Sequence, residues 1–171
     1  VIGANAIGLE LGQLFSHLGS RVTFVEALDR IAPFEEPEIS EMLTAHLESL
    51  GAEIITSATI TKAGRAGDRR FIEAHIGETS RRIEADEILV ATGRRAHTED
   101  LGLDAAGVEI DQRGHVIVDD RMITSNPKIL AAGDVTTVPQ FVYVAALTGS
   151  IAAENALRPP RRRLDLTTMP R

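Results

Sequence analysis

Two glycines five residues apart, and an acid eighteen residues past the second, are the first residues here whose types and spacing suggest chemistry: Gly3-Ala4-Asn5-Ala6-Ile7-Gly8 and Glu26. Gly3 permits a tight turn, and Gly8 lets the following helix lie close to the preceding strand. The free N–H groups of that helix and its dipole then face a diphosphate. Glu26 sits near the offset at which a carboxylate accepts both hydroxyls of an adenine ribose. Asn5 replaces the middle glycine of this pattern, so a side chain crowds the closest backbone approach to phosphate. The same glycines would also serve a βαβ unit that binds nothing. What favours a dinucleotide is the order strand, turn, helix, strand, acid. A carboxylate at Glu26 repels a 2′-phosphate, and neither Ala27 nor Asp29 supplies a cation. NAD is therefore favoured over NADP, with Arg30 as the one nearby residue that argues otherwise.

A second candidate is Ala131-Ala132-Gly133-Asp134, after an apolar run. An acid at the carboxyl end of a buried strand is placed to accept a ribitol or ribose hydroxyl. A helix beginning near Pro139-Gln140-Phe141 would aim its positive end at developing negative charge, such as the pyrimidine edge of a reduced flavin. Alone, a Gly-Asp pair is usually only a turn. Histidines 17, 46, 75, 97 and 115 show no ligand spacing, so no metal site is expected. Tyr143, the only tyrosine, reads as helix packing. With zero cysteines the chain has no disulfide or thiolate chemistry of its own.

The elements that must position these residues follow from periodicity. Ile7, Leu11, Leu14, Phe15 and Leu18 predict an amphipathic helix stopped by Gly19, and Val22–Val25 a strand. Ile39, Met42, Leu43, Leu47 and Leu50 predict a second helix, entered after Pro37 and closed by Gly51, followed by a strand at Ile54-Ile55. This is the start of a doubly wound α/β sheet. Ala58–Ala63, Arg70–Ile76 and Arg82–Ala85 then read as an antiparallel meander with turns at Gly64–Asp68 and Gly77–Ser80. Ile88–Ala91 reads as a strand covered on both faces, and Thr92-Gly93 ends the first domain. Beyond it come a hairpin around Gln112-Arg113-Gly114, a buried strand at Ile129–Ala132, and a helix from about Gln140 to Leu157.

The expected division is 1–93, 94–157 and 158–171. The middle stretch looks like half of a sheet, and both chain ends look cut, as in a fragment. The net charge of −7 argues against a nucleic-acid surface. The run Arg161-Arg162-Arg163 beside Pro159-Pro160 reads as a solvated linker. Lacking a long apolar run or a signal-like segment, the chain is expected to be cytoplasmic, with no membrane contact.

Taken in order, Gly3…Gly8, Glu26, Ala91-Thr92-Gly93-Arg94-Arg95, Thr124-Ser125-Asn126-Pro127 and Ala131-Ala132-Gly133-Asp134 resemble the pyridine nucleotide-disulfide oxidoreductases, the class I flavoprotein disulfide reductases, over nearly the whole chain. The resemblance implies a Rossmann-like FAD/NAD(P)-binding domain with a β-meander crossover, plus part of a second FAD-binding domain. It implies that Gly3, Asn5, Ala6, Ile7, Gly8, Glu26 and Gly93 hold NAD. Gly133, Asp134, Gln140 and Phe141 would meet FAD. Glu10 matches a glutamate that pairs with a lysine near the flavin, and Ala6 stands where relatives carry a tyrosine gate. The family passes hydride from nicotinamide to flavin and electrons onward to a cysteine pair. That pair would lie in an upstream FAD segment, and the acid–base residues in a downstream dimerisation domain that makes the parent a homodimer. The chain alone would then hold no catalytic residue. Asp134–Ala146 and Leu164–Pro170 are similar to the branch whose acceptor is mercuric ion. Glu26 matches the branch acting on dihydrolipoamide, and Val135 departs from a cysteine common in the mercuric branch. A module that binds a dinucleotide without catalysis is the third reading.

Overall fold

Ala6–His17 (α1) leaves the Gly3 turn and packs onto the sheet by its smallest residues. Gly8 and Gly12 are its buried positions, whereas Ile7, Leu14, Phe15 and Leu18 are exposed. The predicted apolar face is thus not the buried one. A Cβ on Gly12 would lie 2.3 Å from the Phe24 ring, so the aromatic fills the space that a larger helix residue would need. Thr23–Val25 (β1) pairs in parallel with Glu53–Ile55 (β2). Between them runs Pro37–Ser49 (α2), which buries Ser40 and Leu47 and leaves Ile39 and Met42 exposed. Ile2 bridges in parallel to both Val25 and Val90. The strand order 53–55, 23–25, 1–3, 89–91 is that of a doubly wound sheet growing outward from its first strand.

The computed structural model describes residues 1–158 and 162–169 and divides into two units, Val1–Gly93 and Arg94–Arg171. In the first, Ala58–Ala66 (β3), Arg69–Ile76 (β4) and Thr79–Ala85 (β5) form the antiparallel meander. Its turns are shorter than predicted, only Gly67-Asp68 and Gly77-Glu78. Both begin with a glycine at positive φ, +63° and +59°, as tight hairpins favour. Gly64 stays within β3 because the Phe71 ring lies over it, 2.8 Å from where a Cβ would stand. The run Ile88–Ala91 makes two bonds to Ile2, from Ile2 N to Leu89 O at 2.8 Å and from Ala91 N to Ile2 O at 2.7 Å. It is not covered on both faces, since Val90 is 65% exposed. Two apolar clusters hold the unit. Phe24, Ile31 and Leu47 lie in one, and Val25, Ile55 and Ile72 in the other.

The second unit is mostly loops joined by single bridges: Ile110 to Val116, Val118 to Thr124, Ile123 to Leu130 and Val116 to Thr136. The predicted strand Ile129–Ala132 is half-buried and makes only the Leu130 bridge, so it is no buried strand here. Val142–Leu157 (α3) starts two residues later than expected. It buries Val144, Thr148, Ile151 and Asn155, a spacing of four, three and four that keeps one helical face inward. The basic run is no free linker where it is described. Arg162 reaches Ser150 and Glu154, and Arg163 reaches Asp120 at 2.7 Å. Pro159, Pro160, Arg161, Pro170 and Arg171 lie outside the described residues. Among the described residues, no helix is long and apolar enough to cross a membrane.

Candidate functional site

Close approach of backbone to backbone builds the first site. A Cβ on Gly8 would stand 1.9 Å from the Gly3 carbonyl oxygen, and one on Gly3 would stand 2.5 Å from the carbonyl oxygen of Ala91. Only hydrogens fit in either place. Gly3 also holds φ at +91°, in the left-handed region. The start of α1 is thereby pressed onto the strand ends, and Gly93 follows two residues after Ala91. The first intrahelical bond at this end runs from Leu9 N to Asn5 O at 2.9 Å. The N–H groups of Ala6, Ile7 and Gly8 therefore precede the helical ladder and point out of it. Asn5 is extended and exposed, and its side chain does not cap the helix. Ala6, Ile7 and Glu10 are exposed.

Glu26 is buried at the end of β1. Its Oε2 accepts the Ala4 N–H at 2.7 Å and its Oε1 accepts the Leu28 N–H at 3.0 Å. The Ala4 carbonyl in turn accepts from Ala32 N at 2.8 Å, and Ser40 Oγ donates to Ile31 O at 2.7 Å. Turn, acid and loop are thus one hydrogen-bonded unit. Arg30, the residue that argued for a 2′-phosphate, donates to the carbonyls of Pro33 at 3.0 Å and Glu35 at 3.1 Å. Its guanidinium closes its own loop. The hydrogen bonds of Ala4 and Arg30 were not legible in the sequence, because both depend on how residues 27–35 turn back.

In the second unit, Gly133–Val135 forms a short 3-10 turn with Gly133 at φ +75°. Thr148, fully buried on α3, accepts the Gly133 N–H at 3.1 Å. Asp134 Oδ2 accepts from Arg94 Nη1 at 2.5 Å. Asp134 is therefore ion-paired, with a partner 40 residues away that the Gly-Asp pair itself does not specify. Gln140 lies before α3 rather than in it, and its amide nitrogen donates to the Asp134 carbonyl at 3.1 Å. Phe141 is the N-cap residue of α3, and its ring stacks on Tyr143 with centroids 5.3 Å apart. Arg94, Arg95, His97, Asp134 and Gln140 line a recess of about 390 Å³. His115, read in the sequence only as lacking ligand spacing, has its ring 3.4 Å from Asp111 and 3.3 Å from Gln140. Among the described residues, no group of three His, Asp or Glu side chains is arranged to hold a metal.

Comparison with known proteins puts this geometry in context. The family model described as pyridine nucleotide-disulphide oxidoreductase matches residues 1–149. A mercuric reductase of Bacillus cereus is 44% identical over 99% of this chain, which spans 27% of that protein. A dihydrolipoyl dehydrogenase of Thermus scotoductus is 42% identical over 91% of this chain, which spans 34% of it. The chain thus covers about a third of the length of these relatives. Among solved structures, the HOCl-induced flavoprotein disulfide reductase RclA of Escherichia coli superposes on 95% of this chain with a TM-score of 0.82 at 29% identity, over 37% of its own length. LpdA of Mycobacterium tuberculosis superposes on 98% with a TM-score of 0.86 at 26% identity, over 36% of its length.

Proposed function

The chain belongs to the pyridine nucleotide-disulphide oxidoreductase family, and on that premise we propose that it is the NAD-binding portion of an FAD-dependent reductase whose final acceptor is mercuric ion. The observation that carries the reading is Glu26, docked on the Ala4 N–H within the Gly3–Gly8 turn. The turn would suit a diphosphate: close approach at Gly3 and Gly8 presses the start of α1 onto the strand ends, and the N–H groups of Ala6, Ile7 and Gly8 lie at the free N-terminal end of the helix. In this reading residues 1–93 bind the nicotinamide nucleotide. Residues 94–157 supply part of a flavin site through Gly133, Asp134, Gln140 and Phe141, and 158–171 lead toward a dimerisation domain. Gly93 and the Asn5–Gly8 helix start would flank the nucleotide. Ala6, with one methyl group, would leave the nicotinamide side open, and Glu10 would support the flavin side from its exposed place on α1. Bound flavin supplies hydride acceptance from nicotinamide and electron delivery to a cysteine pair. This chain contains zero cysteines, so its own residues bind and orient. The parent would be a cytoplasmic homodimer.

Mercuric ion is favoured as acceptor by the similarity to mercuric reductases across 99% of the chain. Dihydrolipoamide is the second reading, supported by Glu26 and by the 42% identical dihydrolipoyl dehydrogenase. For the nucleotide, the geometry supports NADH. The buried carboxylate would meet a 2′-phosphate with like charge, and Arg30 is engaged by two carbonyls. Titrating the chain with NADH and NADPH by fluorescence tests this directly. NADH should bind roughly tenfold tighter or more, given the cost of juxtaposed like charges. Glu26→Gln keeps an acceptor for Ala4 N–H and removes the charge, so it should narrow the gap. Tighter NADPH binding by the unaltered chain would overturn the assignment.

A further inference from the structure

The fixed chemistry of donors and acceptors around Gln140 defines a protonation state. A carbonyl only accepts, so the 3.1 Å contact to Asp134 O is made by the amide nitrogen of Gln140. The same nitrogen lies 3.3 Å from Nε2 of His115. An amide nitrogen only donates, so Nε2 must be the bare, accepting nitrogen of a neutral imidazole. The ring proton is then on Nδ1, which lies 3.4 Å from Asp111 Oδ2. The backbone beside the ring is tied down. The next residue, Val116, donates to Val135 O at 2.8 Å and accepts from Thr137 N at 3.2 Å, on either side of the Thr136 bridge. The hairpin carrying His115 is therefore laced to the segment carrying Asp134.

We propose that His115 is a proton-sensitive positioning residue, holding Gln140 on the Asp134 carbonyl when neutral and releasing it when protonated. A proton from solvent on Nε2 sets an N–H donor against the NH₂ of Gln140. The favourable answer is rotation of the amide, so that its oxygen accepts from Nε2. The nitrogen then leaves Asp134, whose carbonyl loses that donor. The groups within reach of the ring are the Gln140 amide and the Asp111 carboxylate. The other charged or titratable groups around the recess are Arg94, Arg95, His97 and Asp134. Arg94 is occupied by Asp134 and Arg95 by Glu99.

The bearing on flavin rests on the reading of Asp134 given above, and the test separates the two. Nitrogen-15 NMR of the 171-residue chain, from about pH 5 to 8, follows the Gln140 side-chain amide and the His115 ring together. The Gln140 resonances should move with the His115 midpoint. In His115→Gln, whose carbonyl can accept where Nε2 does and which does not titrate, they should stay at their high-pH positions. Gln140 resonances that ignore the His115 midpoint in the unaltered chain would overturn the proposal, as would the same movement persisting in His115→Gln. FAD titrated into both proteins gives the second readout. Its affinity should fall about fivefold across the midpoint in the unaltered chain, the worth of one hydrogen bond, and stay level in His115→Gln. Equal pH dependence in both overturns the proposal. If Gln140 follows His115 but FAD binds at neither pH, the brace stands and the flavin reading of Asp134 falls.

Discussion

With Oε2 on the Ala4 N–H and Oε1 on the Leu28 N–H, the Glu26 carboxylate is held in place yet keeps further lone pairs. Asp111 works the same way at a different task. Its Oδ1 accepts the backbone N–H groups of Arg113 and His115, each at 2.8 Å. The His115 N–H, foremost, holds this carboxyl below its ordinary pKa. Because the folded value is depressed, the stabilisation is present above the unfolded value of about 3.9 and is lost as pH falls through the folded one. Amide exchange across Asp111–Val116 should therefore quicken as pH drops below about 4, relative to intrinsic rates. Asp111→Asn should flatten that acid limb, and an unchanged limb would show that the hairpin does not depend on this charge. At this scale residue type was legible and partnership was not. The Gly3–Gly8 pair could be read because backbone clearance dictates it. His115, Arg94 and Arg30 could not, since their partners lie 25, 40 and up to 5 residues away along the chain and meet only after folding.

Element boundaries were read more accurately than buried faces. Periodicity located α1 but chose its apolar stripe as the core, because hydrophobicity carries no information about close approach. A helix that must present its N-terminus to a ligand at the strand ends comes closest when its inner face is glycine. Here Gly8 meets the Gly3 carbonyl and Gly12 meets Phe24. The element-scale consequence is an inverted rule for substitution. Ala normally stabilises a helix relative to Gly by about 1 kcal/mol. At Gly12, however, the new methyl would stand 2.3 Å from a ring that is itself fully buried. Gly12→Ala should cost about 1–3 kcal/mol through overpacking, read as a lower urea midpoint. Combined with Phe24→Leu, the loss should be less than the sum of the two single losses, because the ring that clashes is gone. Strict additivity would mean that helix and ring do not press on each other. The stretches 88–91 and 129–132 make isolated bridges, at Val90 and Leu130, and neither has the cover that its apolar run predicts. A continuous apolar run says that a strand suits burial, without saying which residues bury it.

The unequal cores of the two units set the behaviour of the whole chain. Among the described residues, both clusters of packed apolar side chains belong to Val1–Gly93, where Phe24 and Ile31 are fully buried. In the second unit, fully buried Met122 and nearly buried Val144 and Ile151 share the interior with Thr136, Thr148 and Asn155. Its loops hang on polar ties such as Gly133 N to Thr148, Thr136 Oγ1 to Gly133 O, and Asn155 to the Arg121 and Arg162 carbonyls. A hydrogen bond adds about 1 kcal/mol net, whereas burying a large apolar side chain adds about 1.5–3 kcal/mol. The second unit should therefore open first. Native-state hydrogen exchange should show α3 and residues 108–137 exchanging through a lower-energy opening than β1, β2 and β4. NADH should raise protection in the first unit only, since a ligand stabilises what it binds. A single opening energy shared by both units would contradict the ranking of their cores, and NADH protection centred on α3 would place the nucleotide elsewhere than Gly3–Glu26. The first outcome would also make the chain one cooperative body, with the Gly93–Arg94 boundary carrying no energetic meaning.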